Sequence, residues 1–111
     1  MDDLDKKYYR ISEVAEILNI PASTLRFWES KFTIIKPHRN AGNTRLYTPK
    51  DIEKIRMIYF LVKDKGLKLD AAQEQIRNNA SGVSRQRQVL ERLRQVRDKL
   101  AQLQATLGKM R

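Results

Sequence analysis

A row of apolar residues near the C-terminus constrains this chain more than any other feature. Val89, Leu93, Val96, Leu100, Leu103, Leu107 and Met110 recur at intervals that alternate four and three without a miss. An apolar repeat of 3.5 residues is the pattern of a helix that packs along another helix. At 1.5 Å per residue, a helix over residues 83–110 runs on the order of 40 Å. Standing alone it would leave its leucines in water, and association relieves that. Homodimerisation through these residues is therefore expected, with an intramolecular stripe or another protein as the alternatives. The flanking Arg92, Arg97 and Lys99 are all basic, so charge pairing selects neither a parallel nor an antiparallel mate.

The chain has 111 residues, which leaves one small domain ahead of this helix. A unit of that size is marginal by itself and gains from oligomerising. The small, polar run Asn78-Asn79-Ala80-Ser81-Gly82 is the best boundary between the two parts. The expected organisation is a flexible N-terminus over residues 1–8, a domain over 9–79 and a dimerisation helix over 83–111.

Within the domain, Ser12 as N-cap, Glu13 and Glu16 in the first turn, and Val14, Ala15, Ile17 and Leu18 predict a helix of about two turns. Pro21 lacks an amide hydrogen and disfavours helical geometry at Ile20, so the chain turns and restarts over residues 22–31. Two short helices joined by three or four residues form a helix-turn-helix, with Ile20 plugging the angle. The second helix faces two ways. Leu25, Trp28 and Phe32 make a core stripe, while Ser23, Thr24, Arg26 and Phe27 point elsewhere, as in a helix that enters a DNA major groove. Residues 33–47 read as a turn, Asn40-Ala41-Gly42-Asn43, between segments able to pair as a hairpin. That hairpin carries Lys36, His38, Arg39 and Arg45 and makes a basic wing. Thr48-Pro49-Lys50-Asp51 then starts a helix with a capping box, whose apolar stripe Ile52, Ile55, Ile58, Tyr59 and Val62 runs to Lys65 before Gly66 stops it. Asp70 with Gln73 predicts a second capping box.

The formal net charge is +10 and the pI about 10.2, favouring a polyanionic partner. Residues 83–111 hold eight Lys and Arg against two acidic residues, so part of the excess is a solvated helix face and not a nucleic-acid footprint. The absence of cysteine removes disulfides and thiolate chemistry, and a lone histidine, His38, excludes a multi-histidine metal site within one chain. No cofactor is expected. No run approaches a membrane span of about 20 apolar residues, and the N-terminus lacks the order of a signal peptide, which predicts a cytoplasmic protein without a membrane partner. With no nucleophile–base pairing, phosphate-cradling glycine loop or ligand cluster, an enzyme is not expected.

Three stretches resemble the MerR family of bacterial transcription regulators: Tyr9-Arg10-Ile11-Ser12-Glu13-Val14-Ala15, Thr24-Leu25-Arg26-Phe27-Trp28-Glu29, and Thr44-Arg45-Leu46-Tyr47-Thr48-Pro49-Lys50-Asp51-Ile52. Gly66-Leu67-Lys68-Leu69 is similar to the family's second wing. The resemblance implies a mainly α fold: a winged helix-turn-helix with a small β-hairpin wing, followed by a long coiled-coil helix. It also implies an antiparallel dimer on pseudo-palindromic promoter DNA, distorting the duplex so that RNA polymerase can use it. Two departures stand out. Phe27 and Trp28 replace a frequent tyrosine pair, removing their hydroxyls, and the sequence runs to Arg111 with no cysteine, where many members continue into a drug- or metal-binding segment that frequently uses them. Ligand sensing is left unassigned.

The candidate DNA-binding residues are Ser23, Thr24, Arg26, Phe27, His38, Arg39, Asn43, Thr44, Arg45, Tyr47, Lys65 and Lys68. Plainer readings stand beside several of them. Arg26 has a surface ion pair with Glu29 or Glu16 as its alternative, Tyr47 has an anchoring role in the core, and His38 a simple place on the wing surface. Trp28 is assigned to the core. The expected function is a dimeric, sequence-specific DNA-binding regulator without an effector domain. The alternatives are an architectural or excisionase-like DNA-bending protein and a coiled-coil interaction module.

Overall fold

In a computed structural model that describes residues 5–110, the chain folds as β1 (Tyr9–Arg10), α1 (Ile11–Leu18), α2 (Ala22–Lys31), β2 (His38–Arg39), β3 (Arg45–Tyr47), α3 (Pro49–Tyr59), a π-helical turn (Phe60–Asp64) and α4 (Leu69–Lys109). The mainly helical winged helix-turn-helix with a long final helix is the expected class.

The turn between α1 and α2 is built by Asn19, which takes a left-handed conformation (φ 54°). Its amide donates to the Glu16 carbonyl at 3.4 Å and that of Ile20 to the Ala15 carbonyl at 3.1 Å, closing α1 in a Schellman-type ending. Ile20 is buried at the resulting corner. Leu25, Trp28 and Phe32 are all buried as the α2 stripe predicted, and Trp28 meets Tyr59 of α3 edge-on at 6.4 Å.

The start of α1 differs from the expectation at Ser12. Arg10 is the N-cap because β1 holds it extended (φ −78°, ψ 159°), and Ser12 lies within the first turn. Capping comes from Glu13, whose carboxylate accepts the Arg10 amide at 2.9 Å. That bond, followed by the neighbouring Lys6 ammonium, holds the Glu13 carboxyl below the usual glutamate value. The sheet also contains a strand the hairpin reading lacked: β1 pairs antiparallel with β3, Tyr9 opposite Tyr47, giving the order β1-β3-β2. Tyr9 is buried as a result. Residues 1–4 of the expected flexible terminus, and Arg111 of the dimerisation segment, lie outside the described residues.

At α3 the capping box forms as read. The Asp51 amide donates to Thr48 Oγ1 at 3.2 Å and the Thr48 amide to Asp51 Oδ2 at 3.0 Å. The stripe predicted to reach Lys65 does so through a π turn, closed by the Lys65 amide on the Phe60 carbonyl at 3.1 Å. Gly66 (φ 71°) then ends it.

The second capping box, Asp70 with Gln73, is not formed. Lys68 is the N-cap of α4 without a side-chain bond, and Gln73 is drawn to the loop after α2, where its Oε1 accepts the Thr33 amide at 2.6 Å. Asn79 breaks the regularity of α4 (φ −153°, ψ 59°) inside the 78–82 stretch. Its Oδ1 accepts the Gly82 amide at 3.2 Å, so two helical runs meet there with an N-cap and no loop. Beyond this joint α4 lies on the domain. Val83 is buried, Arg87 pairs with Glu53 at 3.1 Å, and Arg94 with Asp64 at 2.7 Å. Along the same helix the apolar seam is uncovered: Val89, Leu93, Val96, Leu100, Leu103, Leu107 and Met110 are each 43–75% exposed. Among the described residues no helix is long and apolar enough to cross a membrane.

Candidate nucleic-acid interface

The outward face of α2 is set by the inward one. With Leu25 and Trp28 committed to the core, Ser23, Arg26 and Phe27 are exposed and Thr24 is half-buried. Phe27 is 48% exposed, a large aromatic surface facing water, and the Lys31 ammonium lies 5.6 Å from its ring centre. Arg26 makes no ion pair among the described residues, so neither Glu29 nor Glu16 takes it as the plainer reading allowed.

The wing is shaped by Asn40. Its Oδ1 accepts the amides of Gly42 and Thr44, each at 3.0 Å, and the Asn43 amide closes the tip on the Asn40 carbonyl at 2.9 Å. Asn43 itself takes φ 61°, a left-handed conformation that asparagine tolerates. His38, Arg39, Asn43 and Thr44 are exposed along this hairpin, and Tyr8 meets the His38 ring edge-on at 5.8 Å.

Glu29, near the end of α2, joins helix to wing. One carboxylate oxygen takes Arg45 Nε at 2.5 Å and the Tyr47 hydroxyl at 3.1 Å, and the other takes Arg39 Nη2 at 3.3 Å. Arg45 and Tyr47 share one face of β3, as their alternation required. Tyr47, a DNA-contact candidate with an anchoring role in the core as its equal alternative, falls on the anchoring side: the residue is 0% exposed, packed in the core with only its hydroxyl turned to Glu29. Burial first, and then the Glu29 carboxylate, push the Tyr47 hydroxyl well above the ordinary tyrosine value of 10.0. Arg45 is left partly exposed, with 28% of its side chain open.

Glu29 is absent from the candidate residues read from the sequence, where its side chain stands only as a possible partner for Arg26, about one helical turn away. Its true partners lie across a hairpin whose register no local pattern gives. The usable signal is a lone acid near the end of a helix followed by the basic wing residues Lys36, His38, Arg39 and Arg45.

The structure therefore brings α2 and the wing into one surface. Lys65 and Lys68 are exposed in the connection before α4, and no hydrogen bond or ion pair joins them to α2 or the wing among the described residues; Lys65 Nζ donates instead to Gln86 Oε1 at 3.3 Å. No cluster of three potential metal ligands occurs among the described residues.

Residues 9–79 match the family model of the MerR helix-turn-helix regulatory proteins. Among curated relatives, the chain is 31% identical over 87 residues to the transcriptional repressor CarA of Myxococcus xanthus, covering 78% of this chain and 29% of that one. It is 42% identical over 50 residues to the transcriptional regulator MlrA of Escherichia coli, covering 45% and 21%. The chain thus spans less than a third of the length of either relative. Its fold is similar to the crystal structure of HiNmlR, described as a MerR family regulator lacking the sensor domain and bound to promoter DNA. The TM-score is 0.58 at 23% identity, with 91% of this chain and 79% of that one covered.

Proposed function

The chain belongs to the MerR family of helix-turn-helix regulatory proteins, and from that premise we propose that it is a dimeric, sequence-specific regulator of transcription that binds double-stranded DNA. The observation that carries this reading is the Glu29 clasp, which joins the exposed face of α2 to the basic wing through three hydrogen bonds. Arg26, Thr24, Ser23 and Phe27 read the major groove, where an apolar ring suits a thymine methyl. Arg39, Arg45, Asn43, Thr44 and His38 hold the flanking backbone, and Lys65 and Lys68 extend the contact as a second wing. Residues 9–79 form the DNA-binding unit and residues 83–111 the dimerisation helix, acting in the cytoplasm.

Two copies paired along the α4 seam present two recognition helices. Such a pair selects a pseudo-palindrome with half-sites about one helical turn, roughly 34 Å, apart or a multiple of it. Engaging both wings distorts the intervening duplex, which is how the regulator alters promoter use by RNA polymerase.

Selection of bound fragments from a random duplex pool, followed by titration at several salt concentrations, tests the reading. An enriched two-half-site sequence is the expected result. Affinity indifferent to sequence and salt overturns it. Bending of the selected DNA without any change of transcript in a purified transcription assay would reassign the protein to an architectural role.

A further inference from the structure

The seam on α4 carries a charge pattern that self-association leaves unanswered. Its alternating intervals place Leu93, Leu100 and Leu107 at heptad position a, and Val89, Val96, Leu103 and Met110 at d. The g edge is then Arg85, Arg92, Lys99 and Thr106, and the e edge Leu90, Arg97 and Gln104. Neither edge holds a carboxylate. Glu91 and Asp98, the acids of this stretch, fall at f, on the side of the helix away from the seam. Arg85, Arg92 and Lys99 are exposed and have no ion pair among the described residues. Arg97 reaches only the adjacent Asp98, at 3.2 Å, with both side chains open to solvent.

Edge positions decide which mate a coiled coil accepts. In a homodimer of this helix, basic or neutral edge meets basic or neutral edge whichever way the mate runs. The domain reinforces the pattern at one end of the seam, where Phe60, Leu90 and the seam residues Val89 and Leu93 line an apolar recess of about 400 Å³ whose other walls include Lys65 and Arg85. A helix lying on the seam meets this recess with cations beside it.

We infer that the seam is an interaction surface whose favoured mate is an acidic amphipathic helix of a second protein, with apolar residues at heptad spacing and Asp or Glu at its flanking positions. The inference rests on the reading of residues 89–110 as a coiled-coil seam. An acidic mate keeps every apolar contact a second copy would make and turns each like-charge edge into an attractive one. A lipid surface or nucleic acid would answer the cations but not the leucines, whose alternating spacing fits the ridges of a helix. Such a mate competes with the homodimer. It leaves single recognition helices on DNA, with the affinity that bivalence supplies removed.

The test uses the full chain and a tagged full-chain stand-in for the mate carrying Arg85→Glu, Arg92→Glu, Arg97→Glu and Lys99→Glu, its fold checked by circular dichroism. The two are mixed at low and high salt, and homo- and heterodimers are counted by native mass spectrometry. With equal amounts of the two chains, random pairing makes heterodimers as numerous as the two homodimers together; the expected result is heterodimers outnumbering them at least tenfold at low salt, with the ratio falling toward one at high salt as the charges are screened. A statistical mixture at low salt overturns the inference and leaves the seam reading intact. Monomers alone, for both chains and their mixture, overturn both. Adding Leu100→Lys to the stand-in must abolish the heterodimer; a heterodimer that survives shows charge acting without the seam and overturns the helical mate. If the four-fold variant fails to fold, the pair Arg92→Glu and Lys99→Glu is used, with the same outcomes at a smaller excess.

Discussion

Glu29 and Arg45, sixteen residues apart in the chain, meet at 2.5 Å, and this contact ties the wing to α2. The same carboxylate accepts from the buried Tyr47 and the exposed Arg39, so one acidic side chain bonds three wing residues. Removing it as Glu29→Ala leaves the Tyr47 hydroxyl buried without its acceptor, an expected loss of about 1–3 kcal/mol. Glu29→Gln keeps an acceptor and should lose less. Chemical denaturation measures both. For DNA binding the expected order is natural chain, then Gln, then Ala, and equal affinity of all three would show that the wing does not need the clasp.

Arg26 is exposed on α2 and has no ion pair to lose among the described residues. Arg26→Ala should therefore leave the melting temperature unchanged while weakening binding to the selected operator by about 1–3 kcal/mol. A gel-shift titration beside a thermal melt separates the two effects, and a fall in stability with intact binding would contradict the assignment.

Tyr47 gives the fold an alkaline limit. Its proton is held more tightly in the folded protein than in the unfolded chain, where it leaves near pH 10.0. Above that value the unfolded state binds fewer protons than the native one, so stability falls as pH rises. Melting temperatures on either side of pH 10 should show the decline, and Tyr47→Phe, although less stable at neutral pH, should show a shallower one.

Asn79 caps the second run of α4 through the Gly82 amide, and a Cβ at Gly82 would lie 2.3 Å from Asn79 Nδ2. Asn79→Ala is expected to cost about 1 kcal/mol, whereas Asn79→Asp, an equally good cap, should be close to neutral. Thermal melts of the two variants at neutral pH would decide. A neutral alanine would mean that the helix straightens through the joint without penalty.

Leu100 is 58% exposed in the single chain, so its packing lies outside the domain core. Leu100→Lys should lower the dimer fraction by sedimentation before it alters the circular dichroism of the domain. Loss of domain structure at concentrations where the natural chain is already monomeric would contradict a seam that serves association alone.

Much of this architecture was legible because it is written between near neighbours. Pro21 after Asn19 and Ile20 forces the turn, the Thr48 and Asp51 box starts α3, and the core stripe of Leu25, Trp28 and Phe32 assigns the exposed face of α2. Where local reading failed, a distant partner had intervened. Ser12 lost the cap because β3 draws Arg10 into a strand, and Gln73 left its box for Thr33 of another loop.

By itself the sequence determined the helix-turn-helix, the wing and the heptad row of residues 89–110, because periodicity, caps and turn residues act over a few positions. Only the tertiary structure decided that Tyr47 belongs to the core and that Glu29 joins α2 to the wing through Arg39, Arg45 and Tyr47. Those outcomes depend on the register of β3 against β1 and β2, and register is set by packing between segments far apart in the chain.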